Sequence, residues 1–477
     1  MVHFEKKELK KKSQNISDWY TDVVLKAELA DYAPVKGTMV IRPYGYAIWE
    51  RVQEILNRMM KKEGVENAYF PLFIPYSLLN KEKEHIKGFS PELAIVTKGG
   101  GEELADPLVV RPTSETIMYE MYKKWIQSWR DLPILINQWN NVVRWEKRTY
   151  LFLRTLEFLW QEGHCAHATH EESREMVLKA LDWYRQVYEN YYAISVITGI
   201  KSAAERFAGA VSTFSIEALM PGGKALQGAT SHDLGQNFSK AQDVTFQDKS
   251  GKMQHVWQNS WGFSTRTLGA LILVHGDDNG LVLPPKIAPV QVVIVPVSQE
   301  SSLIKLADEL SERLEKINIR VKIDKRESIS LGRKYNYWEV KGMPLRIELG
   351  KKEMEQRLLT LARRDTQEKS QIVVDEVEKK VPQILDEIQN NLFNKAKKFL
   401  EENTHITKDF AEFSQIMETS RGFIKAYWCE DAKCEAEIKA KTKATTRVMP
   451  LKSEESKGTC IHCGNSARHI WYFAQAY

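Results

Sequence analysis

Residues 143–158, VRWEKRTYLFLRTLEF, open with Val143-Arg-Trp-Glu146, turn through a short basic loop and return as Leu153-Arg-Thr-Leu-Glu-Phe158. An Arg-x-Glu triplet alone commonly decorates an exposed strand and contributes little there. Here it stands in a series. Arg111-Pro-Thr-Ser-Glu115 lies upstream, Trp261-Gly-Phe-Ser-Thr-Arg266 lies downstream, and Gln227, Thr230 and His232 fall between.

Around these stretches the periodicity predicts an antiparallel sheet flanked by helices over residues 1–283. Ile48, Val52, Ile55 and Met59 recur at helical spacing, with Gly64 placed as a C-terminal stop. Ala68 to Pro75 is too short and proline-marked to continue that helix and reads as extended. From about 105 to 165, short extended segments surround one helix. Thr169 and Glu172 form a capping box for a helix reaching about Tyr192. Between Ala225 and Val274, aromatic and β-branched residues alternate with polar ones, as in strands with one ligand-facing side.

Leu283-Pro-Pro285 punctuates the chain. Beyond it, strands at Gln291–Val297, Arg320–Asp324, Leu345–Leu349 and Leu358–Ala362, with a helix carrying Leu303, Leu306, Leu310, Leu314 and Ile317, predict an α/β domain over 284–390. A charged helix from Glu376 to Glu402 leads to a third unit, 400–477. The expected class is α+β.

With 477 residues and 43% hydrophobic content, the chain can bury several cores. A net charge of +5 permits a polyanion partner without indicating one. Lys6, Lys7, Lys10, Lys11 and Lys12 are followed by no apolar stretch of signal-peptide type, and no run approaches the roughly 20 apolar residues of a membrane span. The expected location is cytoplasmic, with no membrane contact.

Four of the five cysteines crowd near the end, which does not suit a disulfide framework. Cys429 and Cys434, then Cys460 and Cys463, have spacing suited to tetrahedral zinc of structural type. His462 is an alternative ligand, and four thiolates is the simpler reading. Cys165 stands alone and reads as a small buried hydrophobe.

The arginine segments in this order resemble the signature of class II aminoacyl-tRNA synthetases, and their wording is similar to prolyl-tRNA synthetases of the archaeal and eukaryotic type. Ala68–Pro75 resembles motif 1, Arg144–Phe158 motif 2 and Gly262–Gly276 motif 3. The resemblance runs over essentially the whole chain. It implies ligation of L-proline to tRNA(Pro) through a prolyl-adenylate, with ATP and Mg²⁺, in a homodimer joined around Pro71. The rivals are another class IIa specificity, threonine or glycine, and a tRNA-binding protein that has lost the reaction; the full set of arginines and nucleotide contacts argues against the latter.

Activation brings a carboxylate to the α-phosphate of ATP, so guanidinium groups must neutralise charge as it develops. Arg144 and Arg266 are the candidates. By resemblance, Arg144 spans the proline carboxylate and the α-phosphate, and Glu146 reads the adenine amino group. Thr155 and Leu156 offer main-chain contacts, and Phe158 stacks on adenine. Gln227 contacts Mg²⁺, Thr230 contacts ATP, and Ser264 with Arg266 lies on the far side of the nucleotide. For proline, Thr113 and Glu115 supply acceptors to the secondary ammonium and His232 is at the pocket; Trp160 is a candidate wall, with core packing as the alternative.

A pocket for so small a ring cannot strongly exclude alanine or cysteine. The interval between motifs 2 and 3 is consumed by the Thr169 helix and strands, which leaves no room for the large editing insertion of bacterial-type enzymes. The second domain resembles an anticodon-binding domain, where Glu339 and Arg346 have chemistries suited to guanine, or else belong to an ordinary solvated face. The apolar end Trp471–Tyr477 is expected to dock near the catalytic domain.

Overall fold

The computed structural model describes residues 9–85, 93–453, 455 and 457–477. Lys6 and Lys7 of the basic leader lie outside them. Lys12 is a half-buried cap, its Nζ donating to the carbonyls of Leu273 and Gly276 at 2.7 and 2.6 Å, where a helix leaves acceptors unpaired.

An eleven-stranded sheet organises the molecule. Its order is Thr404–Ile406, Phe423–Trp428, His469–Gln475, Ala444–Pro450, Ile197–Ile200, Ser212–Met220, Lys224–Gly235, Trp257–Ser264, Glu157–His167, Ile134–Val143 and Glu66–Asn67. Pairing is antiparallel except at the two ends. The longer strands of the third unit therefore belong to this sheet, and its short pair Gly458–Thr459 and Ser466–Ala467 stands apart. Its strand Ala444–Pro450 pairs with the catalytic unit through Met449↔Ile200 and Pro450↔Gly199.

The helix His170–Gln186 covers the back of this sheet, opened by the Thr169/Glu172 capping box. A π-turn, Val187–Tyr191, follows instead of further α-helix. Helix Pro43–Lys62 buries Ile48, Val52, Ile55 and Leu56, and Gly64 ends it at φ +82°. The sheet centre is close-packed: a Cβ on Gly163 would lie 2.2 Å from the Trp261 ring. Any side chain there would displace the strand that carries Glu162.

Only the end of the Ala68–Pro75 stretch is a strand, and the short strand just upstream of it belongs to another sheet. Glu66–Asn67 joins the large sheet, whereas Phe73–Pro75 pairs with Glu102–Val110 in a separate three-stranded sheet. The alternation read as strands through Val274 ends earlier, because Arg266–His275 is a helix. Eight of its ten residues are buried, so it has no polar face to reveal a helical period.

Residues 292–373 form a five-stranded sheet, ordered Val321–Ile323, Val292–Pro296, Leu345–Leu349, Leu358–Arg363, Lys369–Val373. Helices Ser301–Lys316 and Val377–Glu402 pack their leucines into its core. The edge strand Lys369–Val373 was not anticipated; it is mostly exposed and polar. Arg364 ties this unit to the first through Asp277 at 2.7 Å.

Candidate active site

Two cavities meet on the open face of the large sheet. The smaller, of about 260 Å³, is lined by Thr113, Glu115, Arg144, Trp160, Thr230 and His232, together with residues not foreseen from the sequence. The larger, of about 650 Å³, holds Glu146 and Arg266. Gln227 lines both.

The smaller cavity is built around a buried carboxylate absent from the sequence reading. Glu162 accepts from the Ser114 backbone at 3.1 Å, Asn140 at 2.8 Å and Gln138 at 3.1 Å, and pairs with His164 at 2.9 Å. Burial pushes its pKa up, but His164, Ser114 and Asn140 more than offset this and hold it at about 2. The signal existed: Trp160, Glu162 and His164 alternate along one strand and so share a face. Phe207 and Thr213 also line this cavity, and their stretch of chain offered no comparable pattern.

Arg144 leaves the end of strand Ile134–Val143, and its Nε donates to the Pro112 carbonyl at 3.1 Å. The guanidinium carbon lies 5.2 Å from the Trp160 ring and 5.6 Å from Phe158. Burial lowers its pKa, while Glu115, Glu162 and Glu146 pull it back. Thr113 donates its hydroxyl to Glu115. His232 meets Thr213 Oγ1 through Nδ1 at 2.9 Å, and burial, reinforced by the His164 and Arg144 cations, takes its pKa to about 3. It is a neutral imidazole at physiological pH. The KM for proline should therefore show no His232 limb between pH 6 and 8, and a His232→Gln variant should keep the parent's pH profile there, as exchange kinetics across that range would show.

Arg266 starts the helix Arg266–His275 and donates Nε to the Leu153 carbonyl at 3.0 Å. Burial, then the nearby Arg144 cation, depresses its pKa, so two guanidinium groups face a region that favours an anion. Glu146 accepts from Arg154 Nε at 2.7 Å.

Other anticipated residues lie behind the walls. Ser264 Oγ accepts from the Arg266 backbone at 3.3 Å, and Thr155 donates to the Glu157 carbonyl at 2.8 Å. Leu156 uses its N–H on Gly37 and its carbonyl on Arg144, both at 2.9 Å. Neither Thr155, Leu156, Phe158 nor Ser264 lines either cavity. Thr230 sits in the smaller cavity rather than the one holding Glu146 and Arg266.

In the second unit, Glu339 and Arg346 share a cavity of about 160 Å³. Arg346 is already engaged, with Glu348 at 2.7 Å and over the Tyr335 ring at 4.0 Å. In the third unit, Sγ of Cys429 and Cys463 are 3.5 Å apart and those of Cys434 and Cys460 are 3.6 Å apart; all four lie within 4.8 Å of one another. Zn–S bonds of ≈ 2.3 Å give a tetrahedral edge of about 3.8 Å, so the set fits zinc. Cys165 is fully buried, and burial pushes its thiol up to about 12.

A core sheet of this kind, with paired cavities lined by arginines, defines a class II aminoacyl-tRNA synthetase. The profile described as the class II core domain of tRNA synthetases (G, H, P, S and T) matches residues 97–275, and that of an anticodon binding domain matches 291–384. The C-terminal domain profile of prolyl-tRNA synthetase matches 410–477. A proline–tRNA ligase of Natranaerobius thermophilus is 54% identical over 99% of this chain and 98% of its own. One from Alkaliphilus oremlandii is 52% identical over 97% and 96%. The crystal structure of prolyl-tRNA synthetase from Cryptosporidium parvum, complexed with halofuginone and AMPPNP, superposes with a TM-score of 0.95 at 42% identity, covering 99% and 98% of the two chains. The chain belongs to the prolyl-tRNA synthetase family, and ligation of proline to tRNA is the activity that goes with that membership.

Proposed function

We propose that the smaller cavity binds L-proline, the larger one binds ATP, and Arg144 acts where they meet. The observation that carries this is the shared wall: Gln227 lines both cavities, Arg144 lines the smaller and Arg266 the larger, and the Arg144 cation is near enough to depress Arg266. The proline carboxylate is already ionised at neutral pH, so no protein base is needed. Its oxygen bonds to the α-phosphorus while the bond to diphosphate breaks, and Arg144 and Arg266 stabilise the charge that develops. Thr113 and Glu115 receive the secondary ammonium, neutral His232 and Trp160 close the ring pocket, and Glu146 meets the adenine amino group. Transfer to the 3′-hydroxyl of tRNA(Pro) follows.

Thr155, Leu156, Phe158, Thr230 and Ser264 belong to this reading as supports or contacts of the nucleotide, and Gln227 would hold Mg²⁺, which supplies charge neutralisation on the phosphates. Glu339 and Arg346 are offered to the anticodon. The test is to incubate the enzyme with proline, α-labelled ATP and pyrophosphatase without tRNA. An enzyme-bound labelled adenylate, chased to AMP by tRNA(Pro), is expected; AMP that forms only when tRNA is already present would contradict it.

Cys429, Cys434, Cys460 and Cys463 would hold one structural Zn²⁺, with no open position for substrate. We expect one zinc per chain by elemental analysis. Cys434→Ser should lose the metal and lower the melting temperature, since structural zinc adds to folding free energy. An unchanged melting temperature on complete chelation would contradict a structural role.

On this reading the chain works in the cytoplasm as a homodimer. No helix among the described residues is long and apolar enough to cross a membrane. Tyr69 and Phe73, flanking Pro71, are exposed aromatics that a second copy would cover, and sedimentation should give twice the mass of one chain. The chain between Phe158 and Gly262 is occupied by the core's own strands and the His170–Gln186 helix. Purified enzyme is therefore expected to leave alanyl-tRNA(Pro) intact; release of alanine above the spontaneous rate would show editing in cis.

A further inference from the structure

The nucleotide cavity is walled partly from outside the class II core. Arg447, on strand Ala444–Pro450 of the C-terminal unit, lines it beside Gln227 and Arg266. The strand is irregular at this residue: its pairing with His469–Gln475 shifts between Thr446 and Val448, the kind of bulge that re-aims a side chain. Nε and Nη2 of Arg447 donate to Glu217 Oε2 at 2.9 and 2.7 Å, and Nη1 donates to Thr445 at 3.2 Å, which leaves each terminal nitrogen a further donor.

Glu217 is fully buried and is shared by Lys201, whose Nζ lies 2.6 Å from the other carboxylate oxygen. Two cations on one carboxylate leave a net positive charge in a dry site, which an anion in the adjoining cavity would balance. Glu217 is also directly across the sheet from Gln227, at a second register shift. Arg421 lines the same cavity with its buried Nε unpartnered. It is held close by Gly223 at φ +74°, where a Cβ would lie 2.5 Å from that of Arg421.

We propose that Arg447 is a residue of the nucleotide site, supplied by the C-terminal unit, which offers its guanidinium to the polyphosphate of ATP and to departing diphosphate while Glu217 fixes its orientation. The inference rests on reading this cavity as the ATP site. Behind the strand, Thr446 and Ser202 hold Glu435, the neighbour of Cys434, so the cysteine cluster and Arg447 belong to one packed unit.

Arg447→Met leaves Lys201 and Glu217 as a neutral pair, and Lys201→Met leaves Arg447 and Glu217 as one; Lys201 does not line the cavity. In ATP–diphosphate exchange, Arg447→Met is expected to raise KM for ATP and for diphosphate about tenfold, as loss of a charge-assisted bond does, with KM for proline within about twofold. Lys201→Met removes the same net charge but no donor facing the cavity, so its rise in the ATP and diphosphate constants should be clearly smaller than that of Arg447→Met, with KM for proline unchanged. Should Arg447→Met fail to fold, Arg447→Lys keeps the charge, loses the planar fork and should show the same selective rise in smaller measure. Equal rises in the Arg447 and Lys201 variants would reduce the triad to a structural role. Unchanged ATP and diphosphate constants with slower tRNA charging would assign Arg447 to the tRNA end instead; either result overturns the proposal. Full exchange in Arg266→Lys would remove the reading of the cavity itself, whatever Arg447 does.

Discussion

Arg144→Ala should lower proline-dependent ATP–diphosphate exchange by about 10³-fold, with the fold retained. The size follows from removing a preorganised donor aimed at developing charge, which typically costs 10²–10³ in rate. Arg144 lines the smaller cavity, held by the Pro112 carbonyl and flanked by two aromatic rings. Arg206 also lines the small cavity, but its Nη1 is engaged by the Val211 carbonyl at 2.7 Å, so it does not take over the role. Arg144→Lys should recover little, because a point charge lacks the fork that spans carboxylate and phosphate. Exchange within tenfold of the parent in Arg144→Ala, with its circular dichroism spectrum intact, would show that the reaction is organised elsewhere.

Glu162→Ala should destabilise the catalytic unit by about 3–5 kcal/mol, the range for removing one partner of a buried ionic cluster. The donors of Ser114, Asn140, Gln138 and His164 all converge on this carboxylate and would be left without it. The chain has several units, so the midpoint to follow is that of the transition reported by the core tryptophans. Glu162→Gln is milder and exposes the pH dependence. The folded carboxylate titrates near 2, below its ordinary 4.5. Its contribution is thus complete above about pH 4.5 and is lost as pH falls towards 2. The parent should lose stability over that window more steeply than Glu162→Gln; identical acid limbs would contradict the assignment.

Much of this was legible in the sequence, and the exceptions share a cause. The helix at Thr169 was readable because its capping box and period are local. Arg144, Gln227 and His232, named from motif order, line the same small cavity, although Arg144 lies well upstream of the strand Lys224–Gly235 that carries the other two. Glu162 was missed because its meaning depends on donors from Ser114 and Asn140, which only the folded sheet brings together. Helix Arg266–His275 was read as strand because burial on all sides erases the period. The seam between the first and third units had no signal either, since Ala444–Pro450 looks like any short strand until it meets Ile197–Ile200. Thr155, Leu156 and Ser264, named as contacts of the nucleotide, line neither cavity and bond to the chain around it, a placement their spacing alone does not reveal.

The most direct test is amino-acid-dependent ATP–diphosphate exchange by the purified enzyme across all the standard amino acids, with Arg144→Ala prepared identically. Exchange dominated by proline, with weaker alanine and cysteine and none in the variant, is the predicted result. Exchange led by threonine or glycine, or no exchange with any amino acid, would contradict the account of the two cavities.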